Sequence, residues 1–216
     1  MILTGLMILG LAACQNPVGP TETYPVVETP APTEAPTEPL PDYPFAPTTT
    51  GIFIRRDKTI QSAEVTSFDT KKYSEAELRK TVTGWIEEYN KAAGREAVGL
   101  DSLSVKDNRA TLILNYADAN AFMDFQGTDF DVKELAVATA VEAATRMSLK
   151  NLKSPSGTAV SATQALTDDE VTVLKVSGKI NITTQGDIRF LSSTLTLSGT
   201  NSVRVNSDSA VFIIFR

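Results

Sequence analysis

Histidine is absent from this sequence of 216 residues, and cysteine occurs once, at Cys14. Without an imidazole there is no histidine triad, no histidine metal ligand and no side chain that titrates unperturbed near neutral pH. A single thiol forms no internal disulfide and builds no thiolate zinc site. No run of 18 or more apolar residues is present, so no mature segment crosses a bilayer as a helix. Basic residues are missing from the first 54 positions: every Lys and Arg lies at Arg55 or later. The net charge of −6 is therefore unevenly spread. Five acids, Glu22, Glu28, Glu34, Glu38 and Asp42, fall in the proline-rich part, and from Thr48 onward acids and bases nearly cancel. The folded part has no basic excess for phosphate neutralisation, so nucleic acid is not an expected partner.

What is present begins with an apolar stretch, residues 2–13, of the length of a signal-peptide hydrophobic region. It runs into Leu11-Ala12-Ala13-Cys14: an aliphatic residue, two small ones and the cysteine. This tetrad resembles the lipobox of bacterial lipoproteins. The resemblance implies cleavage before Cys14 and alkylation of its thiol with diacylglycerol. It makes Cys14 the expected lipidation site and the outer face of the cell membrane the expected location. Two acyl chains hold a protein stably to a bilayer, whereas one does so only marginally. The family's basic n-region has no counterpart here, so an initiator upstream of Met1 is expected.

Ten of the 11 prolines lie between Asn16 and Thr50. Proline fixes φ and removes a backbone donor, so this stretch forms neither helix nor ladder. Its "PTE" repeats read as an extended, self-repelling spacer. At about 3.1 Å per residue, roughly 33 residues reach on the order of 100 Å. The expected organisation is a cleaved signal peptide at 1–13, an anchor and Pro/Thr/Glu-rich disordered linker at 14–50, and a globular domain at 51–216. The part from about 168 onward is expected to be β-rich. This plan is similar to that of small, uncharacterised surface lipoproteins of Gram-positive bacteria.

The domain is expected to be α+β. "GIFIRR" and "TIQSAEVTSF" read as a hairpin turning at Asp57-Lys58. Ser74 and Glu77 form a capping box. Behind them Leu78, Val82, Trp85, Ile86, Tyr89 and Ala93 follow at helical spacing, and Gly94 is the stop. "SLSVKDNRATLILNY" reads as a second hairpin, with Ala110, Leu112, Leu114 and Tyr116 on one face. Asp118 caps a short helix bearing Phe122 and Phe125. Asp131 and Glu134 are expected to open a buried helix over "LAVATAVEAATRM", with a strand over 135–141 as the competing reading. Ser161 caps one helical turn. Apolar pairs Ile180/Ile182, Ile188/Phe190, Leu195/Leu197, Val203/Val205 and Val211/Ile213 then recur every seven or eight residues. They read as a C-terminal antiparallel meander of short strands. "VFIIF" reads as a central strand.

Chemistry-bearing groupings are sparse. Glu87 and Glu88 are adjacent on a helix, where their side chains diverge into solvent. Asp168, Asp169 and Glu170 read as a turn before a strand. Asp124, Asp129 and Asp131 offer oxygen ligands for a hard cation, but they lack calcium-loop spacing and a bidentate Glu. "SGK" at 177–179 lacks the upstream glycine of a phosphate loop and reads as a turn. Trp85, Tyr89, Phe122 and Phe125 read as core rather than as a stacking platform. No catalytic site, metal or cofactor is therefore expected. The reading that follows is a non-enzymatic binding domain held off the membrane, with an envelope polymer or a protein as partner. The alternative is an extracytoplasmic hydrolase with an Asp/Glu pair as acid and base, which needs no histidine.

Overall fold

A computed structural model of the chain describes residues 40–216. The signal segment, Cys14 and most of the expected linker lie outside the described residues. Strands β1 (Gly51–Ile54) and β2 (Ile60–Ser67) form the first hairpin. Its turn places Lys58 at φ 71° and is closed by the Asp57 carboxylate, which accepts from the Thr59 N–H at 2.9 Å. Helix α1 (Glu75–Ala93) starts at the Ser74–Glu77 capping box and stops at Gly94, whose φ of 66° is left-handed. Strands β3 (Val98–Lys106) and β4 (Arg109–Tyr116) turn through Asp107 and Asn108, both at positive φ, as a two-residue hairpin requires. β4 pairs along the whole of β2, from Ile60↔Tyr116 to Ser67↔Arg109. Helix α2 (Ala119–Gln126) is capped by Asp118, which accepts from the Ala121 N–H at 2.9 Å. Val82 and Ile86 of α1 and Phe122 of α2 pack on the inner face of these strands with Leu112, Leu114 and Tyr116.

The next segment departs from the expected helix. Val132–Thr139 is a strand, β5, and the helix α3 (Ala140–Arg146) begins only after it. Thr139, not Asp131, is the N-cap, and Glu142 completes its capping box. Asp131 instead occupies a turn at φ 52°, and Glu134 bonds Lys175 on the neighbouring strand at 2.5 Å. Val132, Leu135 and Val137 then meet the inner core, while Ala138 meets a second core on the opposite face. A period-two pattern with apolar residues on both faces suits a strand sandwiched between layers.

Short strands β6 (Leu152–Lys153) and β7 (Ala159–Val160) follow, then a one-turn helix α4 (Ala162–Ala165) capped by Ser161. The C-terminal strands are β8 (Thr172–Thr184), β9 (Ile188–Ser192), β10 (Leu197–Gly199) and β11 (Ser202–Phe215). They are not a run of uniformly short strands. Val203/Val205 and Val211/Ile213 belong to one strand of 14 residues, and the polar "NSDS" between them runs into a bulge within it. The pairing continues on both sides of the bulge, from Ser207↔Gly178 to Val211↔Val176. Nor is the order a simple meander: the sheet runs β3-β4-β2-β1-β8-β11-β9-β6-β7, with β10 also on β11 and β5 also on β8. Residues 211–215 are central as expected, buried between β8 and β9.

One edge of β8 is divided between two partners. Its first half pairs with β5, and Ile182 to Thr184 pair in parallel with β1. Gly178 marks the change, at φ 123°, where a Cβ would stand 2.1 Å from the Asp131 carbonyl oxygen. "SGK" is thus the interior of a strand rather than a turn. The architecture is α+β, with α1 and α2 over the inner face, α3 and α4 over part of the outer face, and the β6–β7 ribbon extending the sheet beyond β9.

Candidate functional site

Residues 40–50, which the sequence places in the linker, lie along the domain as a strap. Pro41, Pro44 and Pro47 have no N–H to offer, so the strap is held mostly by side chains. The Tyr43 N–H donates to the Gln185 carbonyl and its hydroxyl to Asp187 Oδ1, both at 2.9 Å. Gln185 Nε2 donates to Asp42 at 2.9 Å. Phe45 stacks on Phe53 of β1. Thr50 Oγ1 accepts from the Val65 N–H at 3.0 Å, and Arg109 donates to the Thr48 carbonyl at 2.9 Å.

Between the strap and the open part of the outer face runs a groove of about 510 Å³. Strap residues 43–49 form one wall. Asn181 and Thr183 of β8, Ser202 of β11 and Ser198 of β10 contribute polar side chains from the sheet. Two asparagines brace it: Asn181 Nδ2 donates to the Thr50 carbonyl and Asn201 Nδ2 to the Thr184 carbonyl, each at 2.9 Å. Gly51 allows β1 this close to β8, since a Cβ there would lie 2.7 Å from the Asn181 carbonyl oxygen. The cavity falls in the roughly 300–1,000 Å³ range of small-molecule sites.

A second polar feature lies under α2. Tyr116 Oη donates to Gln126 Oε1 at 2.5 Å, and Ser62 Oγ lies 3.1 Å from both atoms. Burial pushes the Tyr116 phenol well above its ordinary range. Glu64 shares the inner face of β2 with Ser62. Burial first, and then the charge of Asp129, raises its carboxyl above the usual value. Ser62 has only a phenol and an amide as partners. Neither is a base at neutral pH, so this network braces α2 on the sheet and does not activate a nucleophile.

The aspartates proposed for a cation do not converge. Among the described residues no three Asp, Glu, His or Cys side chains come together in a geometry able to hold a metal. Asp124 is exposed on α2, and Asp131 pairs with Lys179 at 3.6 Å. Asp129 and Asp131 line a small cavity that also holds Lys179 and Arg204, cations that compete with a metal. Asp168 lies 3.1 Å from Arg216 Nη1, and Glu170 also pairs with Arg216. Glu87 and Glu88 are exposed on α1.

Of the four aromatics read as core, Phe122 is fully buried, and Tyr89 and Phe125 meet edge to face at its margin. Trp85 is the exception, 58% exposed. It lies roughly 60° and 100° around the helix from Val82 and Ile86, off the narrow stripe that α1 buries. Sequence reasoning missed the strap and its groove. Their signal was Tyr43 and Phe45, two aromatics at the end of a stretch otherwise poor in large apolar residues.

No protein-family model matches the chain, and no curated protein or solved structure shows significant similarity to it.

Proposed function

We propose that this chain is a lipid-anchored protein of the outer face of a bacterial cell membrane, and that its domain is a non-enzymatic binding module held away from the bilayer. Leu11-Ala12-Ala13-Cys14, placed directly after an apolar stretch, carries this reading. The proline-rich residues that follow supply the spacer, and the anchor is diacylglycerol on Cys14. Among the described residues no helix is long and apolar enough to cross a membrane. The partner on this reading is an envelope polymer or a protein. Mass spectrometry of the protein from its native host tests the anchor. The expected result is a mature N-terminus at Cys14 carrying the mass of a diacylglyceryl group, and a Cys14→Ser variant that moves from the detergent phase to the aqueous phase. An unmodified chain that still carries residues 1–13 overturns it.

One observation favours the hydrolase reading: Glu64, with its raised carboxyl, lies close enough to Asp129 to feel its charge. A carboxyl raised in this way, with a second acidic side chain near it, is the kind of pairing that acid-base glycoside hydrolysis uses. Release of reducing ends from envelope polysaccharide, lost on Glu64→Gln, would support it. Absence of any release by the unaltered protein would dismiss it.

A further inference from the structure

We propose that the groove under the strap binds an uncharged glycan chain. The proposal rests on the reading of the domain as a binding module and names the ligand class of that module. It does not depend on the lipid at Cys14.

The charge of the groove is the first argument. In a chain whose residues are 21% charged, none of the 16 residues lining this cavity is Asp, Glu, Lys or Arg. The neighbouring cavity around Asp129, Asp131, Lys179 and Arg204 is charged on several sides. An anionic wall polymer or lipid headgroup needs cationic or oriented backbone donors, and the groove has no cationic side chain. Its walls discriminate against any ion that would be desolvated there without a partner.

The chemistry of the lining is the second. Thr48, Thr49 and Ser198, all exposed, and the half-buried Thr183 offer hydroxyls to the groove, and these have no protein hydrogen-bond partner among the described residues. A hydroxyl both donates and accepts, so such an array matches the alternating donors and acceptors of a sugar ring. An apolar ligand would leave these groups unpaired, at a cost for each one buried. The Tyr43 ring adds a flat apolar wall suited to the C–H face of a pyranose. Its hydroxyl is already committed to Asp187, which fixes the ring's position.

The third argument concerns a peptide, the main competitor. Extended peptides dock by adding a strand to an open sheet edge. Here the ladder is continuous across the groove floor: Ser62↔Ile52, Ile52↔Ile182, Ile182↔Val203 and Val203↔Leu197. β1, β8 and β11 therefore have no free backbone edge on the groove floor, and the open edge beside it is that of β10, whose three residues are short for pairing with an added strand. Recognition falls to side chains, which favours a ligand rich in hydroxyls.

The test uses the full chain purified in detergent, with chitohexaose, maltohexaose, cellohexaose and mannohexaose as neutral probes and an uncharged Ser/Thr/Ala hexapeptide as the competitor. Binding is followed by NMR shifts of the Asn181 and Asn201 side-chain amides. At least one oligosaccharide should bind with a Kd of about 10 μM to 1 mM. Its affinity should hold within about threefold between roughly 0.05 and 0.5 M salt, because no ion pair is involved. Ser198→Trp and Thr49→Trp fill the groove from opposite walls at exposed positions, and each should weaken binding by about tenfold or more. The proposal is overturned if no probe shifts these amides, if only the hexapeptide does, or if both Trp variants bind as well as the unaltered chain. Each outcome can be read whether or not Cys14 carries lipid, so failure here is distinct from failure of the anchor.

Discussion

The ring of Phe45 lies on the ring of Phe53, centroids 5.2 Å apart and planes 15° from parallel. One belongs to the proline-rich segment and the other to the outer face of β1. The stack covers Phe53, which is 3% exposed, and Phe45 is itself one of the residues lining the groove. The strap is therefore packed onto the sheet as well as hydrogen-bonded to it. Phe45→Ala should lower stability by about 1–3 kcal/mol, through lost burial and the lost aromatic pair. Urea denaturation reads the loss. Hydrogen exchange reads its location, since the Tyr43 amide should exchange much faster while core amides of β8 change little. Equal effects at both places would show that the strap is not a separate layer.

Glu64 makes stability depend on pH in the direction opposite to most carboxylates. Its folded-state pKa is raised by burial and by Asp129, so the fold favours the protonated form. The contribution is fully present below the unfolded value, about 4.3, and is lost as pH rises through the folded value. Glu64→Gln keeps the neutral form at every pH. It should raise the denaturation midpoint at pH 7, and the gain should vanish below about pH 4. Asp129→Asn should bring the Glu64 carboxyl closer to its ordinary range in a carbon-13 titration. A Gln variant less stable than the parent at pH 7 would contradict this account.

Gly178 is required twice over, by its φ of 123° and by the Asp131 carbonyl 2.1 Å from where a Cβ would stand. Gly178→Ala should cost at least about 2 kcal/mol and separate the start of β5 from β8. Gly99 is a matched control on β3, where a Cβ meets nothing within 4 Å. Gly99→Ala should change stability by no more than about 1 kcal/mol. Thermal unfolding of the two variants side by side gives the comparison, and similar losses would refute the role assigned to the Asp131 contact.

Much of the first half of the domain was legible before the structure. Ser74 with Glu77, Asp118, Gly94 and the Asp107-Asn108 turn are signals that satisfy or redirect the backbone within four residues of themselves. Such signals do not depend on what packs nearby. The face shared by Ala110, Leu112, Leu114 and Tyr116 was equally plain, because apolar residues alternate strictly along it and that side of β4 is the buried one. Trp85 was misplaced because helical spacing gives the direction of a stripe but not its width. The candidate site was barely visible. Its groove joins residues near 45, 182 and 202, which no local pattern connects.

By itself, the sequence determined where the chain turns and where helices start and stop. It also determined which residues carry no charge, no imidazole and no second thiol. The ten prolines between Asn16 and Thr50 are in the same class, since each fixes its own φ and removes its own backbone donor whatever packs nearby. Only the tertiary structure decided that residues 132–139 are a strand, that residues 202–215 run through one bulge without a break, and that residues 40–50 rest on the sheet. The physical reason is common to all three. A segment rich in Val and Thr, a polar "NSDS" and a proline-rich strap each have weak local preferences. Each takes its form from partners far along the chain: β8 for the first two, and Gln185, Asp187 and Phe53 for the strap.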